Sequence, residues 1–429
     1  MIFYTDFRFC RVLTVGAVLV VWNVHMNTTV KAIIWVILLG IVAWAGYALL
    51  GSQPAMPAAE EAAPVVYEPI KIGFMGPLSG DAATYGEPFR NIVELAVNEI
   101  NDAGGVNGPK LVPIYEDSKC NGKDATAAAQ KLINVDGVKV IVGPFCSGEA
   151  LAAIPVAEAA QVALFSPGAS SSDLTGKSRF FSRNYPSDAT QGKVLADAAY
   201  NIKKWKNVVM IQEQTDYAVG LYNAFSSAFE QLGGKKVVKE EFPTSATDFR
   251  SMLTKLKAMK PDAVFVNTQT AASAERILKQ ISDLKWKPNL IVNDGTAGDL
   301  KTVEANKAVL EGALAAEFGV DMNNPRFQSM AAAYKAKYGT DVPYPSYAQT
   351  EYDAVYILRD ALMAIGNNGA EITDWLKGVT NKEGASGLVT IGADGDRVGG
   401  HVLKVIKNGM VQVYGAPEVP VATTTAPKQ

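Results

Sequence analysis

From residue 70 onward, short apolar segments alternate with longer segments that carry apolar residues at helical spacing. The short segments are rich in β-branched residues and predict buried strands, whereas the longer segments predict amphipathic helices. Alternation of this kind is typical of parallel sheets that are covered by helices on both faces. About eleven strands are too many for one small open sheet, so we predict an α/β protein with two doubly wound lobes.

The predicted elements follow one another closely along the chain. Strands are predicted over residues 70–75, 110–116, 138–142, 162–165, 179–184, 207–212, 235–242, 263–267, 289–292 and 312–318, with short strands over 389–413. Helices are predicted over residues 89–100, 123–134, 217–232, 249–259, 272–284, 326–338 and 347–365.

The composition excludes several classes of function. Apolar residues make up 48% and charged residues 19% of the 429 residues, as in a globular protein. The net charge of −3 and the lack of a Lys/Arg block argue against nucleic acid as a partner. The only histidines are His25 and His401, so histidine-based catalysis and metal binding are disfavoured, and we predict no cofactor and no metal.

The N-terminal region, residues 1–51, predicts export or membrane anchoring. Residues 32–50 are uncharged and apolar over a length that can cross a bilayer. Lys31 precedes them and three glutamates follow, which places the rest of the chain outside the cytoplasm. We expect Met26 to be the true start, and we favour a retained anchor over a cleaved signal. Residues 52–69 predict a flexible linker, and residues 416–429 a disordered tail.

Two segments place small hydroxylated residues directly after predicted strands. They are Gly143-Pro-Phe-Cys-Ser-Gly148 and Ser166-Pro-Gly-Ala-Ser-Ser-Ser172. Each is expected to begin a helix, whose free N–H groups and positive dipole end suit a carboxylate. Ser147 and Ser170 would add hydroxyl donors at the edge of the sheet where ligands of α/β proteins bind. The alternative is that these serines are only helix caps and turn formers.

Cys120 and Cys146 follow neighbouring predicted strands in the exported part of the chain. Adjacent parallel strands bring such positions close enough for a disulfide, and oxidising compartments favour one. We therefore predict a Cys120–Cys146 bridge rather than two free thiols. A metal site is disfavoured because no third and fourth ligand is evident.

Three further residues at predicted strand ends or loops are candidates for the site. Asp294 follows a strand and could hold an ammonium group, although a helix N-cap role is equally compatible with its position. Tyr217 and Tyr85 could supply aromatic packing, or could simply cover the starts of their helices.

At these residues the chain resembles the leucine/isoleucine/valine-binding protein family, the type I periplasmic substrate-binding proteins of ABC transporters. The resemblance covers about residues 70–413 and is carried by an ordered series of motifs. The matching runs are Ile70-Lys-Ile-Gly-Phe-Met-Gly-Pro-Leu-Ser-Gly80, Ala96-Val-Asn-Glu-Ile-Asn-Asp-Ala-Gly-Gly105, Gly143-Pro-Phe-Cys-Ser-Gly148 and Ser166-Pro-Gly-Ala-Ser170.

The resemblance implies two lobes that are joined by a three-stranded hinge and close on a small ligand. Lobe 1 would comprise residues 70–187 and 319–403, and lobe 2 residues 188–318 and 404–415. The family's carboxylate-binding positions correspond to Ser147, Ala169 and Ser170, with Gly168 in the same loop. Its ammonium-binding acid corresponds to Asp294, its cleft tyrosine to Tyr217, and its lobe 1 disulfide to Cys120 and Cys146.

Three positions depart from the family pattern. Gln269 stands where close relatives carry an aromatic residue, Tyr85 replaces a tryptophan, and Asp294 replaces a glutamate. These differences leave open a polar or otherwise different amino acid, or a related small amide, in place of a branched-chain amino acid.

The sequence therefore predicts a solute-binding protein, not an enzyme, that delivers an amino-acid-like ligand to an ABC permease in the membrane and acts as a monomer. The first alternative is a ligand sensor of the same fold with a membrane signalling partner. The second is an exported hydrolase with Ser147 or Ser170 as nucleophile, which the scarcity of histidine disfavours. Asp394-Gly-Asp396 predicts a tight turn rather than a calcium loop because the closing carboxylate is missing.

Overall fold

The computed structural model describes residues 27–51 and 67–416. It divides the chain into two compact units, residues 1–66 and 67–429. The predicted linker and tail fall almost entirely outside the described residues, as does the extension before Met26.

The first unit contains helix α1, Thr28–Gly51. Its residues Thr28–Ala48 have a mean hydropathy of 2.0, and by length and composition they could cross a membrane. The helix begins four residues before the predicted apolar segment, because Thr28, Thr29 and Lys31 add a polar first turn. An anchor and an export signal are both compatible with this helix.

The second unit contains two large sheets and a two-stranded hairpin. The strands of the first sheet are β1 Ile70–Gly76, β2 Leu111–Asp117, β3 Val140–Val142, β4 Ala163–Ser166 and β5 Phe181–Arg183. Those of the second sheet are β6 Val208–Glu213, β7 Val238–Phe242, β8 Ala263–Asn267, β9 Leu290–Val292, β10 Leu314–Phe318, β13 His401–Lys407 and β14 Met410–Val413. The hairpin consists of β11 Lys382–Gly384 and β12 Gly387–Val389.

Helices cover both sheets, as the alternation of segments predicted. They are α2 Ala83–Asp102, α3 Gly122–Asn134, α4 Ser147–Ala160, α5 Asp188–Asp197, α6 Asp216–Gln231, α7 Arg250–Ala258, α8 Ala271–Asp283, α9 Asp294–Ala297, α10 Leu300–Ala305, α11 Lys307–Leu310, α12 Pro325–Tyr338, α13 Pro345–Ile365 and α14 Gly369–Leu376. The core of the first lobe forms where α2 and α13 pack together against β1, β3 and β4.

The two sheets share one strand order, which fixes the position of the cleft. The first sheet runs β2-β1-β3-β4-β5, and the parallel part of the second repeats this pattern as β7-β6-β8-β9-β10. In each sheet the order therefore reverses next to the first strand, at β1/β3 and at β6/β8. Ligands of open α/β sheets bind outside the carboxyl ends of strands at such a reversal. Strands β13 and β14 extend the second sheet as antiparallel neighbours of β10.

Three segments connect the lobes: residues 184–187, 319–324 and 390–400. This is the type I periplasmic-binding-protein fold that the resemblance implied. One predicted lobe boundary is wrong by three residues. Lobe 1 was expected to extend to residue 403, but β13 begins at His401, which pairs with Phe318 of β10 in the second sheet.

The sequence also predicted a helix directly after Ser170, and this prediction is wrong. Only a single 3₁₀ turn, Ser172–Leu174, follows there before the chain enters β5. Residues 173–180 lack apolar periodicity and contain Gly176, so they cannot bury a helical face. Helices α5, α9, α10, α11 and α14 were not predicted.

The disulfide prediction is confirmed: Cys120 and Cys146 are bonded, with their Cα atoms 5.4 Å apart. The bond joins the loop after β2 to the residue that precedes α4. Glu149 of α4 reinforces this junction, because its carboxylate accepts the backbone N–H groups of Cys120 at 2.7 Å and of Cys146 at 2.8 Å.

The double substitution Cys120→Ala/Cys146→Ala should lower the free energy of unfolding by about 3 kcal/mol, because the bond closes a loop with a sequence separation of 26. Urea unfolding with and without dithiothreitol measures the effect. Dithiothreitol should destabilise the wild-type chain and leave the variant unchanged; equal stability of both proteins under oxidising conditions would contradict the prediction.

Candidate ligand-binding site

The carboxyl ends of the two sheets face each other across a small space, which we call the inner cavity. Its volume is about 20 Å³, close to the space of one water molecule. The residues that line it come from both lobes, so the lobes are closed on each other. They are Tyr85, Phe145, Cys146, Ser147, Gly168, Ser170, Tyr217, Gln269, Gly295 and Tyr347.

Six of the eight sequence-predicted ligand residues therefore meet at one cavity: Tyr85, Ser147, Gly168, Ser170, Tyr217 and Gln269. The other two, Ala169 and Asp294, are almost fully buried directly behind it. The patterns at predicted strand ends thus identified residues of both cavity walls. That these residues bind a ligand stays a prediction.

Ser147 forms the first-lobe wall together with the N-terminus of α4. It is the first residue of that helix, so the free N–H groups of the first turn lie at the cavity. Its Oγ accepts the N–H of Ser171 at 3.1 Å, and its hydroxyl proton remains available for a ligand. The N-cap of α4 is Cys146, so Ser147 is not a helix cap. Its side chain instead holds the neighbouring loop.

The loop around Ala169 is held by contacts within the first lobe. The Ala169 N–H donates to Ser166 Oγ at 2.9 Å, and its carbonyl accepts from Arg183 at 3.2 Å. Both backbone groups are thus occupied, which does not favour the predicted contact with a carboxylate. Gly168 is required here because a Cβ would lie 2.2 Å from the Phe145 ring.

Arg183 is the strongest anchor of this loop, and the sequence analysis did not identify it. The side chain is fully buried and forms an ion pair with Asp396, with Nε–Oδ1 at 2.7 Å and Nη2–Oδ2 at 2.8 Å. Its remaining donors reach the carbonyls of Ala169 and Ser171 and the hydroxyl of Thr175. All five guanidinium N–H groups therefore have acceptors. The predicted turn at Asp394-Gly-Asp396 supplies the counter-ion.

Asp294 is the centre of the second-lobe wall. Its Oδ1 accepts the Tyr217 hydroxyl at 2.6 Å and the Gly295 N–H at 2.9 Å. Its Oδ2 accepts the hydroxyls of Tyr185 at 2.9 Å and Tyr347 at 2.7 Å. A carboxylate offers about four lone-pair positions, and here all of them are used.

The alternative role of Asp294 as a helix N-cap is wrong. Asn293 is the N-cap of α9, and its side chain accepts the N–H of Thr296. The carboxylate of Asp294 is therefore free of capping and points to the tyrosines. These three tyrosines come from three places: Tyr217 from the second lobe, Tyr347 from α13 of the first lobe, and Tyr185 from the connection between them.

The buried carboxylate also affects ionisation of its neighbours. The pKa values of Tyr185, Tyr217 and Tyr347 are raised well above 10, first by burial and then by the negative charge of Asp294. The phenols thus remain protonated and act as donors. Tyr185 and Tyr347 were missed by the sequence analysis. Tyr185 lies two residues before the predicted lobe boundary at residue 187, whereas Tyr347 gave no local signal.

Three further ionisable side chains lie near Asp294, one next to each connection between the lobes: Asp188, Glu317 and His401. Burial, followed by the charge of Asp294, raises the pKa of Asp188. Burial raises the pKa of Glu317 to about 7 and lowers that of His401 to about 4. All three pKa shifts favour the neutral form. Asp188 also accepts the Ser170 hydroxyl at 2.9 Å, which links the first connection between the lobes to the loop around Ala169.

The oxygen and nitrogen atoms of Asp188, Asp294 and His401 lie within 4.8 Å of one another, close enough to share a cation. Because the oxygens of Asp294 already accept four hydrogen bonds, we assign no metal to this cluster. In the described part of the chain, neither Ser147 nor Ser170 hydrogen-bonds to a histidine or lysine, so the geometry gives no support to a serine nucleophile.

The substitution Asp396→Ala should lower the free energy of unfolding by roughly 3–5 kcal/mol, because it leaves a buried guanidinium without its counter-ion. Chemical denaturation measures the loss. Asp394→Ala in the same turn is the matched control: Asp394 is exposed and accepts the Asp396 N–H at 3.1 Å, so its loss should cost only about 1 kcal/mol. Similar losses in the two variants would refute the role assigned to the Arg183–Asp396 pair.

Stability should fall with rising pH through the titration of Glu317. Its pKa is about 7 in the folded chain against 4.5 for the free side chain, so the folded state binds the extra proton between these values. That contribution, roughly 3 kcal/mol, is present below about pH 4.5 and lost above about pH 7. Urea unfolding at pH 5 and pH 8 should show a smaller decrease for Glu317→Gln than for wild type; parallel profiles would contradict this.

Comparison with known proteins places these features in a family context. Residues 69–406 match the family model described as periplasmic binding protein. An amino acid binding protein of Pseudomonas aeruginosa is 30% identical over 314 residues, which cover 72% of this chain and 82% of that protein. The Leu/Ile/Val-binding protein BraC3 of Rhizobium johnstonii is 28% identical, covering 78% of this chain and 90% of that protein.

A solved structure gives the same result for the fold. The branched-chain amino acid transporter substrate-binding protein LivJ from Streptococcus pneumoniae, in complex with isoleucine, superposes with a TM-score of 0.72. It is 28% identical in sequence, and the match covers 81% of this chain and 98% of LivJ.

Proposed function

Because this chain belongs to the periplasmic binding protein family, we propose that it captures an α-amino acid between its lobes and delivers it to an ABC permease. The relatives are binding proteins and not enzymes, and membership of a periplasmic family supports a location of the binding domain outside the cytoplasm. We further propose that α1 is retained as the membrane anchor.

The observation that carries the proposal is the opposite polarity of the two cavity walls. The first-lobe wall presents the N-terminus of α4 and the hydroxyl of Ser147, which suit a carboxylate. The second-lobe wall contains the buried carboxylate of Asp294, which suits an ammonium group. An α-amino acid carries both groups on one carbon, so it can satisfy both walls of a narrow site.

The contacts of Asp294 suggest how the ammonium group enters. All four lone-pair positions are occupied in the closed structure, so a ligand must replace one donor. Tyr347 is the candidate, because it belongs to the first lobe and separates from Asp294 when the lobes open. We propose that the ammonium group takes the place of the Tyr347 hydroxyl at Oδ2.

Capture then requires no chemical step. The ligand contacts both lobes only when they are closed, so its binding energy favours the closed state and drives rotation about the three connections. The closed surface, with both lobes in fixed relation, is the form that we propose the permease recognises.

The test is thermal melting of the full chain in detergent against a panel of amino acids, amides and small carboxylates. A ligand at 100 times its Kd should add about 2.7 kcal/mol of apparent stability. We expect shifts with α-amino acids that are lost in Asp294→Asn and Ser147→Ala, each compared with its own unliganded baseline. The exposed substitution Asp283→Asn is the control and should retain the shift.

The ligand class proposed here would be wrong if amides or plain carboxylates, and no amino acids, shifted the melt. Retention of the full amino-acid shift in Asp294→Asn would instead show that the ammonium group binds elsewhere.

A further inference from the structure

A second and larger cavity, which we call the outer cavity, lies at the mouth of the cleft. Its volume is about 480 Å³, within the range of small-molecule sites. It is bounded by the start of α2 (residues 83–88), the loop 340–344 of the first lobe, and residues 298–301 of the second lobe. Both lobes therefore contribute to it, as they do to the inner cavity.

Two tyrosine rings separate the outer cavity from the inner one. Tyr85 lines the inner cavity and Tyr344 lines the outer one, and their ring centroids are 4.7 Å apart. The neighbours of Tyr85 in sequence, Ala83 and Thr84, are themselves part of the outer wall. Movement of one ring would thus join the two spaces.

Tyr344 is the ring that is suited to move. Its backbone lies in the left-handed region, with φ 46° and ψ 62°, which is strained for a bulky side chain. Its hydroxyl donates to Asp299 Oδ2 at 2.7 Å, and Asp299 belongs to the other lobe. Since this bond joins the lobes, it breaks on opening, and the ring is then released from its partner.

The volumes show why movement is needed. The inner cavity has space for about one water molecule, whereas an amino acid side chain needs considerably more. Its walls are the tightly packed rings of Phe145, Tyr85 and Tyr347. The outer cavity, on the other side of Tyr344, offers the additional space.

The walls of the outer cavity indicate what kind of side chain fits. Pro88, Leu300 and Val342 supply apolar surface for a hydrocarbon stem. The charged groups are the carboxylates of Glu87, Asp299 and Asp341 and the ammonium of Lys301. Asp341 is paired with Lys335 at 2.8 Å, so Glu87 and Asp299 are the carboxylates that remain against Lys301. An excess of carboxylates favours a positive charge at the far end of the stem.

We propose that the outer cavity is the side-chain compartment of the ligand, with Tyr344 as its movable partition, and that the preferred ligand is an α-amino acid whose long side chain ends in a cation. This inference rests on the proposed function, since it assumes that the α-carboxylate and α-ammonium groups occupy the inner site. It adds a direction for the side chain and a charge at its end.

Isothermal titration of the full chain in detergent with L-arginine, L-citrulline and L-leucine tests the inference. Citrulline has nearly the shape of arginine without the charge, so arginine should bind at least about fivefold more tightly than citrulline. Glu87→Gln should weaken arginine by about two- to fivefold and leave citrulline unchanged. Glu87 is exposed, so this substitution should not disturb folding.

A second variant tests the compartment itself. Leu300 is 57% exposed and lines the outer cavity, so Leu300→Trp should fill that space without disturbing the core. We expect it to weaken arginine by at least about tenfold and leucine, whose shorter side chain extends less far into this space, by a smaller factor. Leu300→Ala is the matched control and should leave both ligands bound.

The outcomes separate the two proposals. Binding of leucine without arginine, or equal binding of arginine and citrulline, would overturn the inference and leave the proposed function intact. Unchanged arginine affinity in Leu300→Trp would also overturn it. Failure of these three ligands and of every other α-amino acid would overturn both.

Discussion

The buried guanidinium of Arg183 is the interaction on which the architecture of the cleft depends. It stands at the end of β5, where the chain leaves the first sheet, and it is fully inaccessible to water. A cation in such a place is tolerated only when every donor is paired, and Asp396, 213 residues further along the chain, makes this possible. The same side chain holds the carbonyls of Ala169 and Ser171. One ion pair therefore fixes three parts of the chain: the loop around Ala169, the end of β5, and the turn Asp394-Gly-Asp396 within the last connection.

The second lobe contains a buried charge of the opposite sign. Asp294 is buried behind the cavity as Arg183 is, but its partners are tyrosine hydroxyls rather than a cation. Its charge is therefore stabilised by hydrogen bonds and not neutralised by a counter-ion. The N-terminus of α4 in the first lobe and the carboxylate of Asp294 in the second therefore polarise the cleft from one lobe to the other. A zwitterion matches such a field better than a neutral molecule or a single ion does.

The sequence allowed prediction of those parts of the site that depend on local pattern. Ser147, Tyr217 and Asp294 follow apolar strands, and parallel sheets bring the carboxyl ends of their strands to one edge. The disulfide followed from the same reasoning. Arg183, Tyr185 and Tyr347 could not be found in this way, because each acts through partners more than 50 residues distant or in another element. The loop after Ser170 was assigned to a helix because hydroxylated residues favour caps and turns alike; the contacts of Arg183, which no local pattern reveals, decide its shape.

The hydrogen bond between Tyr347 and Asp294 has a consequence for selectivity. Any ligand that binds at Asp294 Oδ2 must displace the Tyr347 hydroxyl, which already donates a hydrogen bond to this oxygen. A neutral amide or hydroxyl donor would replace one hydrogen bond by another of similar strength and gain little from the exchange. A cation would gain in addition the charge–charge attraction to a buried anion. Under the proposed binding mode, the closed cleft would therefore select for ligands with an ammonium group over neutral molecules of similar size.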